Sequence, residues 1–91
     1  MEFRKNAARS RYELIDNGKV IAIADYVERP GVVVFPHTFV DPRRRGQGLG
    51  GEIVQAALDD VRASGRQVIA TCWYVADFIN ANPTYADLLA A

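Results

Sequence analysis

In 91 residues the sequence holds one cysteine, Cys72, and one histidine, His37. A lone cysteine excludes an internal disulfide, and with a single histidine it leaves no ligand cluster for a structural zinc. That usage suits a reducing compartment, so a cytoplasmic location is expected. No run is long and apolar enough to span a bilayer, and residues 1–20 lack the apolar stretch of a signal peptide. Repeats, low-complexity tracts and linkers are missing too, so a single domain over residues 1–91 is expected. Excess charge of either sign is also lacking, with eleven Lys/Arg against eleven Asp/Glu. There is therefore no global basic footprint for DNA or RNA.

The charge that is present is unevenly placed. Residues 1–45 carry nine Lys/Arg and six Asp/Glu, whereas residues 46–91 carry two and five. Three of the arginines, Arg43, Arg44 and Arg45, lead directly into a turn with four glycines, Gly46, Gly48, Gly50 and Gly51. Glycine lets the backbone take positive φ and lets a ligand approach the main chain closely. The start of a following helix adds N–H groups without intrahelical partners and an electropositive dipole end. Such a junction suits an anionic small ligand, with arginines as additional donors.

Residues 2–6 read as a short edge strand. Arg11 to Ile15 alternates, with Tyr12 and Leu14 on one face and Glu13 on the other. Asn17-Gly18 is a two-residue hairpin signal, because both positions tolerate positive φ. Val20 to Val27 is the return strand, Pro30-Gly31 the next reversal, and Val32 to Val40 a third strand. Pro36 cannot donate to a ladder, so a bulge is expected near it. From Leu49 the period becomes helical: Leu49, Ile53, Val54, Ala57, Leu58 and Val61 form the apolar stripe, and Gly65 the stop. Gln67 to Cys72 reads as a strand parallel to the third, because a helix connects them. Tyr74 to Asn80 reads as helix, and Pro83 begins a last short helix through Leu89. Counted from Arg11, without the edge strand, the order β-β-β-α-β-α makes an α+β domain.

Three phosphate-binding loops compete for the glycine turn. A P-loop requires Lys and Ser/Thr after its last glycine, and Glu52 follows Gly51. Gly46, Gly48 and Gly51 match Gly-x-Gly-x-x-Gly, but a dinucleotide fold needs repeated parallel units where this chain has hairpins. The third option fits the surroundings. Val40 through Gly50, Val-x-Pro-x-x-Arg-Gly-x-Gly-x-Gly, closely resembles the acyl-CoA-binding motif of the GNAT superfamily of N-acetyltransferases. Its core falls on Arg45, Gly48 and Gly50. His37-Thr38-Phe39-Val40, Cys72-Trp73-Tyr74-Val75 and Asn82-Pro83-Thr84-Tyr85 are similar to the small, single-domain group of YjdJ/NATD type, so the resemblance runs from Arg11 to Leu88.

The resemblance implies a minimal GNAT (acyl-CoA N-acyltransferase) fold: an antiparallel meander, a helical crossover and a parallel strand. The helices that usually wall the acceptor site near the first strands are missing. It implies acetyl-CoA as cofactor and transfer of the acetyl group to an amine, a small molecule or a protein lysine or N-terminus. Main-chain groups from Arg45 through Gly51, including Gly46, Gln47, Leu49 and Gly50, would hold the diphosphate, with Arg43 and Arg44 offsetting charge. The strand edge at Thr38, Phe39 and Val40 would take the pantetheine, and an N–H near Val40 would polarise the thioester. A non-catalytic acyl-CoA-binding module is the alternative reading, and a monomer or weak dimer is expected.

Transfer to an amine requires a proton acceptor, since a free lysine has a pKa of about 10.4. Imidazole is the side chain ordinarily suited to that task near neutral pH, so His37 is a candidate base, or else a hydrogen-bonded core or rim histidine. Cys72 could protonate the departing sulfur or take the acetyl group, or serve as a small buried apolar residue. Tyr74 and Tyr85 are candidate proton donors or packing residues, and Trp73 and Phe78 are assigned to core or pocket wall.

Overall fold

A computed structural model describes residues 1–90. Five strands form one sheet in chain order: β1 (Glu2–Asn6), β2 (Arg11–Asp16), β3 (Lys19–Arg29), β4 (Val32–Val40) and β5 (Gln67–Ala70). The first four are antiparallel neighbours, and β5 lies parallel to β4. Helix α1 (Leu49–Ala63) makes the crossover, and α2 (Trp73–Ala81) follows β5. Single 3-10 segments occur at Ala7–Arg9, Pro42–Arg44 and Pro83–Leu88. Between β1 and β2 the chain has a single 3-10 turn and no α-helix.

Both reversals are built on left-handed residues where predicted, with φ +50° at Asn17, +76° at Gly18 and +72° at Gly31. The apolar stripe of α1 is buried, from Leu49 through Val61. It packs on one sheet face, against Tyr12, Leu14, Ala22, Ala24, Tyr26, Val33, Phe35 and Val68, and α2 adds Val75 and Ile79 to the same cluster. The opposite face carries no helix among the described residues. Two points correct the sequence reading: β5 ends at Ala70 rather than Cys72, and α2 starts one residue earlier, at Trp73. The strand stops because the Phe35 carbonyl accepts the Cys72 N–H (2.9 Å), which turns the chain into α2.

The β3–β4 ladder contains the bulge expected near Pro36. Val27 pairs with Val34, but Asp25 pairs with His37, so Phe35 and Pro36 together oppose Tyr26. Strand side chains alternate between faces, and one extra residue reverses that alternation for everything beyond it. Val33 and Phe35 therefore face the helices, as do Thr38 and Val40 further along, while His37 and Phe39 are turned to the helix-free face. A second irregularity lies in the β2–β3 ladder, where Ile21 is passed over; on its other flank the Ile21 carbonyl accepts the Asp41 N–H (2.8 Å) at the end of β4.

On the helix-free face lies Glu13, only 1% exposed. Arg4 donates to it from Nη2 (2.7 Å), Arg11 from Nε (2.7 Å) and Asn6 from Nδ2 (3.2 Å). Burial alone would raise this carboxyl's pKa; the three donors outweigh it and hold the group below the ordinary carboxylate value. A depressed folded pKa stabilises the fold above the unfolded value, and that contribution is lost as pH falls through the folded one. Glu13→Gln should therefore cost about 1–3 kcal/mol at neutral pH, with the gap to wild type narrowing at pH 3 in urea melts.

The two helices meet at Gly50. A Cβ built there would collide with the Tyr74 hydroxyl and lie 2.8 Å from its ring. Gly50→Ala should destabilise by about 1–3 kcal/mol through overpacking, despite alanine's better helix propensity. In a double-mutant cycle with Tyr74→Ala the penalty at residue 50 should largely vanish; equal costs in both backgrounds would refute the contact.

Candidate functional site

Pairing of β4 with β5 ends at Phe35 and Ala70. Beyond that point the two strands part, and a cleft of about 690 Å³ opens between Pro36–Val40 on one side and Thr71–Tyr74 on the other. Its third wall is the turn before α1, with Arg44, Arg45, Gly46, Gly48, Leu49 and Gly50. This volume lies within the range of small-molecule sites.

Main-chain donors line it in two places. The Asp41 N–H bonds back to β3, so by strand alternation Phe39 and His37 also point their N–H groups to β3. Thr38 and Val40 then direct theirs the other way, towards the parted edge. The second set lies at the start of α1. The first intrahelical bond runs from the Glu52 N–H to the Gly48 carbonyl, and Gly48 provides no side-chain cap. The N–H groups of Leu49, Gly50 and Gly51 are consequently without helical acceptors.

The turn itself is held from below. Asp41 accepts the Arg43 N–H (2.9 Å) and lies 3.7 Å from Lys19 Nζ. The bond from the Arg43 main chain, against burial and with help from the Arg43 and Lys19 charges, depresses the Asp41 pKa. Arg44 pairs with Asp16. Arg45 pairs with no carboxylate among the described residues, and no Asp or Glu lines the cleft. At Gly46 and Gly48 φ is +86° and +75°, and an added Cβ would meet no protein atom within 4 Å. Glycine is needed there for the backbone angle, whereas at Gly50 it is needed to make room for Tyr74.

The expected chemical groups divide as follows. His37, Cys72 and Tyr74 all line the cleft, together with Thr38, Phe39 and Val40. The Cys72 thiol lies 3.8 Å from the Thr38 hydroxyl, on the buried side. His37 is 58% exposed, and its Nδ1 donates to Asp25 Oδ2 (3.0 Å). Tyr85 is placed elsewhere: its hydroxyl donates to Asp59 Oδ1 (2.7 Å) beside α1, and it does not reach the cleft. That bond, with burial second, raises its pKa and makes it a poorer acid. Arg43, Gln47 and Gly51 also lie outside the cleft lining. Arg43 is turned to solvent beside Asp41, and Gly51 faces Phe78. Trp73 is no core residue; it stands 72% exposed at the mouth, edge-on to Tyr74. Sequence reasoning missed Asp25. Its only signal was an acidic residue in an apolar strand, which says nothing of its partner until the bulge is known.

The profile of the GCN5-related N-acetyltransferases matches residues 11–88. Protein NATD1 of Bos taurus is 32% identical over 65 residues, covering 71% of this chain and 57% of that protein. Its Danio rerio counterpart is 30% identical over 78 residues, covering 82% and 70%. The chain thus spans a little over half the length of the cattle protein. A GCN5-like protein from Staphylococcus aureus, solved in solution, shares 20% identity and a TM-score of 0.76 over 99% of this chain and 88% of its own. The ribosomal-protein-S18-alanine N-acetyltransferase of Escherichia coli shares 24% identity and a TM-score of 0.63, over 66% and 39%. At these identities the two structures establish a common fold. With its profile match running through nearly all of the meander, turn and helices, the chain belongs to the GCN5-related N-acetyltransferase family.

Proposed function

We propose that this protein is an acetyl-CoA-dependent N-acetyltransferase that acts on an amine. One observation carries the reading: a single cleft brings together free main-chain donors, an unpaired arginine, a thiol and a histidine, with no carboxylate in its lining. These residues suit coenzyme A chemically. The helix start and Arg45 match a diphosphate, and the Thr38 and Val40 edge matches an extended amide chain.

Bound acetyl-CoA would supply an activated acetyl thioester. The Val40 N–H is then the donor for the oxyanion that develops on the carbonyl, a contribution of about 3 kcal/mol for a well-placed donor. His37 takes the proton that the amine must lose as its C–N bond forms. Tyr74 or Cys72, on the cleft wall, returns a proton to the sulfur as the C–S bond breaks.

The test is calorimetry and thiol release with acetyl-CoA and a panel of amines. Gly48→Asp should weaken acetyl-CoA binding at least about tenfold, because it sets a carboxylate at the anion-binding helix start and strains a left-handed position. His37→Ala should lower amine-dependent turnover by about 10²–10⁴-fold while leaving acetyl-CoA affinity near wild type. Cys72→Ala, assayed alongside, separates a thiol proton donor or carrier from a packing residue. Thiol release that no amine stimulates would favour a non-catalytic acyl-CoA-binding module, and absence of any heat with acetyl-CoA would end the reading.

A further inference from the structure

We infer that Asp25 is the positioning residue for His37, holding the imidazole so that its Nε2 is the free proton acceptor on the helix-free face of the cleft. What that nitrogen accepts rests on the N-acetyltransferase reading; the orientation itself does not. The argument begins in the ladder. Asp25 and His37 are directly opposite each other on β3 and β4, and directly opposed side chains share a face at close range. An ionised carboxylate offers only acceptors, so the proton in the 3.0 Å bond is on Nδ1. A neutral ring has one N–H, and Nε2 is left with its lone pair.

The pair exists only because of the bulge. Continuing the Val27–Val34 register without the extra residue would set Pro36 opposite Asp25 and turn His37 in among the core side chains. Competition for Asp25 is also removed. Arg11 lies across from Asp25 on the other flank, in β2, and a guanidinium there would ordinarily claim the carboxylate. Instead Arg11 donates to the buried Glu13 at 2.7 Å, and the partner recorded for Asp25 is His37. Two acidic residues on one face thereby sort two bases: the buried one takes the arginine, the exposed one takes the imidazole.

Because His37 is the chain's only histidine, long-range proton–nitrogen NMR correlations of the ¹⁵N-labelled protein read its tautomer without assignment ambiguity. In wild type the neutral ring should be the Nδ1–H form. In Asp25→Asn the amide can donate to Nδ1, so the proton should move to Nε2. The same variant should lower kcat for the amine about 10–100-fold, a fraction of what a general base contributes, with the KM for acetyl-CoA unchanged. Far-UV dichroism and the melting curve guard against loss of fold.

An Nε2–H ring in wild type, or an Asp25→Asn enzyme that turns over normally while His37→Ala does not, would overturn the assignment. A wild-type protein inert towards every amine would instead sink the transferase reading. The tautomer shift between wild type and Asp25→Asn would then still uphold the orientation.

Discussion

One missing N–H organises the working half of this fold. Pro36 cannot enter the β3–β4 ladder as a donor, and the ladder accommodates it by setting Phe35 and Pro36 together against Tyr26. Three consequences follow from that single extra residue. The side-chain alternation of β4 reverses, so that Thr38 turns towards Cys72 and His37 towards Asp25. The Phe35 carbonyl is turned over to the Cys72 N–H, which ends β5 and begins α2. Beyond Phe35 the parallel pairing stops, and the two strands open into the cleft. Bulges re-aim side chains and terminate pairing; here both effects fall on one site.

The remaining wall depends on a balance of charges outside the cleft. Asp16 and Asp41 are the acids nearest the three arginines, and both are used below the turn: Asp16 on Arg44, Asp41 on Arg43 and on Lys19. These bonds fix the loop's path while leaving Arg45 and the first turn of α1 facing the cleft without a carboxylate. An electropositive end is thus preserved by spending the nearby acids on the loop's own backbone and flank. The far end of α1 is secured separately. Arg62 donates to Asp87 and to the Thr84 carbonyl, and Tyr85 donates to Asp59. Tyr85 therefore serves the packing of the C-terminal segment and not the cleft.

Much of this was legible in the residue order, and the reason is local periodicity. Val20–Val27 and Val32–Val40 announce strands by β-branched content, Asn17-Gly18 and Pro30-Gly31 announce turns by dihedral demand, and Leu49–Val61 announces a helix by its four-residue recurrence. The glycine turn was legible because its composition has few other uses. What stayed hidden lies in contacts between distant segments. Gly50 reads as one more loop glycine until Tyr74, more than twenty residues later, is found across it. Thr71-Cys72 continues an apolar strand pattern, and only the Phe35 carbonyl explains why the strand stops. Pro36 predicted a bulge, but the partner brought to His37 depends on which strand takes the extra residue, and no local pattern records that.

The bulge also separates two kinds of group by direction. Main-chain donors of a strand lie in the plane of the sheet, whereas side chains stand perpendicular to it. Once β4 parts from β5, the in-plane N–H groups of Thr38 and Val40 point across the opening, and the His37 ring stands out of plane on the face without helices. An oxyanion donor and a base must approach a reacting carbonyl from different directions, because one meets the oxygen and the other the incoming nucleophile. A single irregular strand meets that requirement between His37 and Val40, with Asp25 on its neighbour orienting the ring. The pleat of β4 thus supplies both the proposed oxyanion donor and the proposed base, while the turn before α1 and the start of α2 complete the cleft.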